Sequence, residues 1–237
     1  MISRKIEGEL QHFLQDEKKK ALLITGARQV GKTYSIRAFG RQNFQSFVEL
    51  NFLENPEAKK LFESAGNSKD LLLRLSLVAD GELIPGETLI FLDEVQECKE
   101  IVTAIKFLVE EGSYRYILSG SLLGVELKDI RSVPVGYMDI VELYPLDFEE
   151  FVLANKVAPR VLELLKQSFE TKTPVDPVIH EKMMELFRLY LIVGGMPAAV
   201  EQYLSTNNLR EVLRIQKSIL ALYKKDFSKY DDLDFSL

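Results

Sequence analysis

The chain has 237 residues, of which 46% are hydrophobic, enough to form one sizeable core and a second, small domain. Its net charge of −6 gives no general electrostatic argument for binding nucleic acid, although a local basic face stays open. A nucleic-acid or protein partner therefore stays open but is not indicated by the net charge. Cys98 is the only cysteine, so a disulfide within the chain is impossible and a reducing cytoplasm is the expected compartment.

The first part of the chain alternates strand-like and helix-like patterns. Apolar residues at helical spacing predict an amphipathic helix over the first seventeen residues. Strands are predicted at residues 21–24, 47–52, 88–92, 114–118 and, interrupted by Pro134 and Gly136, 133–143. Helical patterns lie between them, at residues 33–39, after Pro56, at 71–78 and around Ile101, Ile105 and Leu108. This alternation predicts an α/β fold, a three-layer sandwich with a mostly parallel central sheet and helices on both faces.

The pattern then changes to helices alone. Asp147 and Glu150 have the spacing of a helix capping box. Helical patterns follow at residues 148–155, 160–169, 177–192, 196–204 and 209–225. The longest uncharged run, residues 189–200, is too short to span a bilayer, so no membrane association is expected. We therefore predict two parts, a core with an N-terminal helix at residues 1–146 and a small α-helical region at residues 147–237.

Residues 26–33 match the phosphate-binding loop pattern G-x-x-x-x-G-K-[ST] completely. The pattern needs a strand before it and a helix after it, and the sequence predicts both. Its glycines let backbone N–H groups approach a phosphate, Lys32 supplies positive charge, and the Thr33 hydroxyl is placed to ligate Mg²⁺. The predicted nucleotide-binding residues are Gly26, Ala27, Arg28, Gln29, Val30, Gly31, Lys32 and Thr33.

A second signature ends the third predicted strand, where the apolar residues 89–92 run into Asp93 and Glu94. Ligands gather at the carboxyl ends of parallel strands, so this pair is expected to face the loop. Asp93 would hold Mg²⁺ directly or through water, and Glu94 would accept a proton from the water that attacks the terminal phosphoryl group. Without the loop, a helix cap and a solvated charge would explain the two acids equally well.

Ser119 and Ser121 end the fourth predicted strand. A polar side chain there could contact the attacking water or the terminal phosphate, whereas small residues after a strand most often form only a turn. From the residues alone both interpretations of Ser119 stay open, and Ser121 is the weaker candidate.

Together these segments resemble the bacterial and archaeal AAA-superfamily P-loop ATPases that carry a C-terminal domain of unknown function. The resemblance covers nearly the whole chain and rests on residues 26–33, 92–96, 119–121, 144–151 and 194–197. It implies that the phosphate-loop strand and the acid-bearing strand flank the serine-ended strand, and that the ligands are ATP and Mg²⁺. The roles it implies by position are phosphate and Mg²⁺ binding by Lys32 and Thr33, coordination by Asp93, water activation by Glu94 and a sensor role for Ser119.

The sequence departs from that family in two respects. Relatives often have Gly-Arg where this chain has Gly136 and Tyr137. Arg131 and Arg28 are the candidates to replace the missing arginine, against the simpler interpretation that each is an ordinary surface or structural residue. The chain also ends at Leu237, where such proteins continue into a further domain, so we expect a truncated or shortened member. Many ATPases of the superfamily take an arginine from a neighbouring subunit, which makes a homo-oligomer an expectation here.

Three functions fit these residues. The favoured one is a Mg²⁺-dependent ATPase in which ATP hydrolysis drives a conformational change. A nucleotide-gated interaction switch with negligible turnover is the second, and a phosphotransferase acting on a small acceptor is the third. The adjacent Asp93 and Glu94 favour water as the acceptor. ATP is preferred to GTP through the resemblance, and the residues do not identify the biological process.

Overall fold

The structure is a computed structural model that describes residues 2–63, 68–121 and 136–228. Contacts divide the chain into two compact units, one of residues 5–144 and one of residues 1–4 together with residues 145–237. Each unit has a buried apolar cluster of its own, which is the property that defines a domain.

The first unit is built on a five-stranded sheet in which all the paired strands are parallel. Its strands are β1 (Ala21–Thr25), β2 (Ser46–Asn51), β3 (Thr88–Asp93), β4 (Arg115–Gly120) and β5 (Met138–Glu142). The order is β2-β3-β4-β1-β5. The predicted α/β class and the predicted place of the serine-ended strand, between the loop strand and the acid-bearing strand, are both confirmed. The fifth strand is shorter than predicted, and residues 133–135 lie outside the described part of the chain.

Helices cover both faces of this sheet. They are α1 (Ile6–Gln15), α2 (Lys32–Asn43), α3 (Glu57–Glu63), α4 (Ser68–Val78) and α5 (Lys99–Glu111), with a 3₁₀ turn at Val95–Glu97. Ile90 and Leu92 pack in one apolar cluster with residues of α3, α4 and α5, whereas the neighbouring Leu89 lies against Gly40 of α2. All six residues of β3 are buried. Because both faces are covered, the strand reads as a continuous apolar run instead of an alternating one.

The second unit is helical in its described residues. Its helices are α6 (Phe148–Ala154), α7 (Pro159–Thr171), α8 (Pro177–Val193), α9 (Pro197–Thr206) and α10 (Leu209–Ser228). The predicted capping box is confirmed: the Asp147 side chain accepts from the Glu150 N–H at 2.9 Å, and the Glu150 side chain accepts from the Asp147 N–H at 3.1 Å. Glu150 also forms a buried ion pair with Arg4 at 3.1 Å. Throughout the described chain, no helix has the length and apolar character that crossing a membrane requires.

A close backbone contact fixes the turn between α8 and α9. The Leu146 N–H donates to the carbonyl oxygen of Gly195 at 2.7 Å, and the Tyr190 hydroxyl donates to the carbonyl oxygen of Leu146 at 2.8 Å. A Cβ atom on Gly195 would overlap that Leu146 carbonyl oxygen. The obstacle is backbone, so a side chain at this position cannot be accommodated by a rotamer change.

We expect Gly195→Ala to destabilise the protein, because either the added methyl group or the Leu146 backbone has to move. Overpacking of this kind costs about 1–3 kcal/mol, which is a loss of several degrees in melting temperature. Gly8→Ala is the matched control. Gly8 lies on α1 with no described atom within 4 Å of an added Cβ, so alanine there should be neutral or slightly stabilising. Thermal unfolding followed by circular dichroism checks both variants, and an unchanged melting temperature for Gly195→Ala would contradict the contact.

Candidate active site

The loop at residues 26–31 joins β1 directly to α2. Gly26 and Gly31 have φ angles of 141° and 99°, which residues with side chains rarely adopt. A Cβ on Gly26 would also overlap the carbonyl oxygen of Leu143, whose N–H donates to the Thr25 carbonyl at 2.8 Å. Backbone geometry therefore requires glycine at both positions of the motif.

Lys32 is the first residue of α2 and is only 7% exposed. Its Nζ donates to the carbonyl oxygens of Gly26 and Ala27, at 2.8 Å each, so the side chain folds back over its own loop. Burial lowers the pKa of Lys32, and the carboxylates of Glu94 and Asp93 act in the opposite direction. The ammonium group therefore lies against the loop backbone, with Glu94 and Asp93 close enough to affect its pKa.

Asp93 is the last residue of β3, and its carboxylate accepts hydrogen bonds from four parts of the unit. Oδ1 accepts from the Ser119 hydroxyl of β4 and from the Glu94 N–H, the latter at 3.0 Å. Oδ2 accepts from the Thr33 hydroxyl of α2 at 3.0 Å and from the Asn51 amide of β2 at 3.4 Å. The residue is 2% exposed. Both oxygens are therefore satisfied even though the carboxylate is buried.

The register of the parallel sheet explains why these donors meet. Asn51 pairs with Asp93 across β2 and β3, and Leu92 pairs with Leu118 across β3 and β4, which sets Ser119 level with Asp93. The carboxyl ends of the three strands consequently lie side by side. Burial raises the pKa of Asp93, and the hydrogen bonds from Ser119 and Thr33 oppose that rise.

Glu94 leaves the strand in the left-handed conformation, with φ 57° and ψ 46°. This conformation is uncommon for a residue with a side chain and often marks a functional position. Its Oε2 accepts from Gln96 Nε2 at 2.5 Å and from the Ser121 hydroxyl at 3.5 Å. Arg28 of the loop donates from Nε to Ser121 at 3.5 Å. A chain of side-chain contacts therefore connects the loop to the carboxylate that the sequence predicts to activate water.

The predicted loop residues, both acids and both serines come together in one region. The single hydroxyl proton of Ser119 goes to Asp93, so only its lone pairs are left for a sensor role. Asn51 and Gln96 also contact the two acids, and neither was predicted as a site residue. The available signals were weak: Asn51 is a polar residue at the end of a strand, and Gln96 lies two residues beyond Glu94.

The three positions considered for an arginine differ in location. Tyr137 precedes β5, and its carbonyl accepts from the Ala21 N–H at the start of β1, while its hydroxyl donates to Glu110 at 2.6 Å. It therefore lies at the amino-terminal edge of the sheet, and strands of this length separate it from the loop by about 17–20 Å. An arginine at that position would not reach the loop of its own chain. Arg131 lies outside the described residues, and Arg28 contacts Ser121.

Sequence comparison identifies the family. Residues 18–152 match the model of a family described as an AAA domain, which is more than half of the 237 residues, and the chain belongs to this family. It is an AAA-type P-loop ATPase domain with a C-terminal domain of unknown function: residues 184–234 match a model described as domain of unknown function DUF8612. Among curated proteins, no significant match was found.

Several solved structures are similar to the chain. Drosophila ORC bound to DNA has 16% identity and a TM-score of 0.45, over 90% of this chain and 66% of that one. PCH-2 of C. elegans has 13% identity and a TM-score of 0.40, over 88% of this chain and 62% of that one. The ORC1 protein of Aeropyrum pernix in complex with DNA has 14% identity and a TM-score of 0.40, over 93% and 84%. The chain thus spans less than two thirds of the length of the first two.

Burial of the Asp93 carboxyl group makes the stability of the protein depend on pH. Because burial raises its pKa, the folded protein binds this proton more tightly than the unfolded chain does. That contribution to stability is complete below the unfolded pKa and is lost as the pH rises through the folded pKa. We therefore expect that, without added metal, acidification through the folded-state pKa of Asp93 stabilises wild type relative to Asp93→Asn, which has no carboxyl group to protonate at this position.

Thermal unfolding of wild type and Asp93→Asn across a pH series, with a chelator present, measures how their difference in melting temperature changes with pH. Asp139→Asn is the control, because Asp139 is about half exposed and pairs with Lys20 at 2.7 Å, so wild type should not gain stability relative to this variant on acidification. A wild-type melting temperature that falls or stays level relative to that of Asp93→Asn as the pH is lowered would contradict a raised pKa for Asp93.

Proposed function

We propose that the protein binds Mg-ATP at residues 26–33 and hydrolyses it, using the energy for a conformational change. The AAA family supports nucleotide binding and ATP hydrolysis in general. The observation that carries the specific proposal is the pair formed by Thr33 Oγ1 and Asp93 Oδ2, which are 3.0 Å apart at the junction of loop, helix and sheet. Hydroxyl and carboxylate oxygens are the ligands that Mg²⁺ takes in nucleotide sites, together with the phosphates themselves.

Each side chain has a distinct task in this proposal. The loop N–H groups and the start of α2 bind the phosphates, because they offer free donors and the positive end of the helix dipole. Lys32 neutralises charge on the outer phosphates. Thr33 and Asp93 would hold Mg²⁺, which would supply positive charge against the charge that develops during phosphoryl transfer. Ser119 acts through Asp93, because its proton is committed to that carboxylate.

Glu94 is the proposed general base. It follows directly after Asp93, the proposed Mg²⁺ ligand, so its carboxylate would serve a water bound beside the terminal phosphate. Its left-handed backbone turns the side chain out of the strand, and hydrogen bonds from Gln96 and Ser121 hold it. A phosphotransferase would need a second substrate site close to Glu94, whereas water needs none, so hydrolysis is the reaction that these residues favour.

We further propose that the protein acts in the cytoplasm and forms a homo-oligomer. In related ATPases an arginine from a neighbouring subunit stabilises the transferring phosphoryl group. Arg131 is the candidate within this chain, with Arg28 as the alternative because it lies beside Ser121 in the same copy. The net charge of −6 gives no support to a nucleic-acid partner.

Glu94→Gln tests hydrolysis against a nucleotide-gated switch. The amide keeps the shape of the side chain but cannot take a proton, so phosphate release should fall by about 10²–10⁴-fold. The rise in melting temperature that Mg-ATP causes should remain, because a ligand that binds only the folded state stabilises it. Lys32→Ala is the matched control for binding and should lose most of that rise.

Phosphate release and ATP-induced thermal shifts are measured on the same three proteins. If wild type releases phosphate no faster than Glu94→Gln while still being stabilised by ATP, the switch replaces the ATPase. If ATP stabilises Lys32→Ala as much as wild type, residues 26–33 are not the binding loop.

A further inference from the structure

The hydrogen bonds around Glu94 distinguish its two carboxylate oxygens. Oε2 accepts two donors, Gln96 Nε2 at 2.5 Å and the Ser121 hydroxyl at 3.5 Å. Among the described residues, no donor contacts Oε1. A carboxylate oxygen that already accepts two hydrogen bonds is a weaker proton acceptor than one that accepts none. The asymmetry therefore leaves Oε1 as the oxygen that can receive a proton from water.

The orientation of the Gln96 side chain follows from the same contacts. Both hydrogens of its amide have an acceptor, because Nε2 also lies 3.5 Å from the Ser121 hydroxyl oxygen. If the amide were rotated by 180°, its carbonyl oxygen would face Glu94 Oε2. This orientation is unfavourable because both atoms are hydrogen-bond acceptors and no proton lies between them. The short turn at Val95–Glu97 holds Gln96 in place, since Val95 is fully buried.

Ser121 extends this arrangement to the loop. Ser121 is 2% exposed. Its hydroxyl group donates a hydrogen bond to Glu94 and accepts hydrogen bonds from Gln96 Nε2 and Arg28 Nε. Gln96, however, makes the shorter contact to the carboxylate. Hydrogen bonds between heavy atoms more than about 3.2 Å apart are weak, so Gln96 at 2.5 Å, and not Ser121 at 3.5 Å, is the main restraint on Glu94.

We propose that Gln96 is a positioning residue for the hydrolysis reaction, holding Glu94 by Oε2 so that Oε1 is presented to the attacking water. This inference rests on the proposed ATPase function. Gln96 itself touches neither ATP nor water in this account; it acts through Glu94. Loss of its amide should leave nucleotide binding intact and let the Glu94 carboxylate rotate away from a productive geometry.

Gln96→Met tests the proposal, because methionine has a similar length but no donor. We expect kcat for ATP hydrolysis to fall roughly 10- to 100-fold, the loss that matches one hydrogen bond to a charged group. KM for ATP and the ATP-induced thermal shift should not change. Ser121→Ala, which removes the longer contact to Oε2, should lower kcat by less. Gln45→Met is the matched control: Gln45 is exposed just before β2, at the opposite edge of the sheet, and should behave as wild type.

A double variant separates positioning from a merely structural role. In the Glu94→Gln background no base remains to be positioned, so Gln96→Met should cause no further loss of turnover. An equal loss in both backgrounds, an unchanged kcat in the single variant, or a loss of ATP binding parallel to that of kcat would each overturn the proposal while the ATPase function stands. Wild-type turnover no greater than that of Glu94→Gln would instead remove the proposed function and this inference with it.

Discussion

The buried carboxylate of Asp93 is the constraint on which the candidate site depends. An ionised carboxylate inside a protein is costly unless its oxygens are hydrogen-bonded. Here the donors come from the ends of β2 and β4, from α2 and from the next residue in the chain. If one of them moved away, the charge would lose a partner, so the strand ends and the helix are held to each other by this requirement as well as by apolar packing. The same two carboxylate oxygens would also hold Mg²⁺, so they would serve both the packing of the strand ends and the binding of the metal.

Local sequence signals were sufficient for the α/β class and for the loop, whereas the place of the serine-ended strand was implied by the family resemblance. The strand β3 reads as a continuous apolar run because both of its faces are covered, and Gly26 and Gly31 occur where the backbone takes positive φ. Asn51 and Gln96 could not be predicted in the same way. Their importance depends on the register between strands and on a side-chain conformation two residues after β3, and neither leaves a periodic trace in the sequence.

Tyr137 and Arg28, two of the positions considered for a catalytic arginine, lie at different ends of the sheet. Tyr137 occupies the family's arginine position but lies at the amino-terminal edge of the sheet, where it contacts Glu110. Tyr137 therefore lies away from the loop of its own chain, whereas Arg28 of the loop contacts Ser121, which also contacts Glu94. The described residues of one chain therefore bring the loop, Thr33, Asp93 and Glu94 together. The AAA family supports nucleotide binding and ATP hydrolysis in general.

We propose that Thr33 and Asp93 form the Mg²⁺ site of an ATP-binding loop. Isothermal titration of ATP, with Mg²⁺ and with a chelator, measures it directly on wild type and on Thr33→Val, which keeps the shape of the side chain and removes the oxygen. Thr171→Val, at an exposed position on α7, is the control. The account predicts that Mg²⁺ tightens ATP binding to wild type and to the control but not to Thr33→Val. An equal effect of Mg²⁺ on all three proteins, or no binding of ATP to wild type, would contradict it.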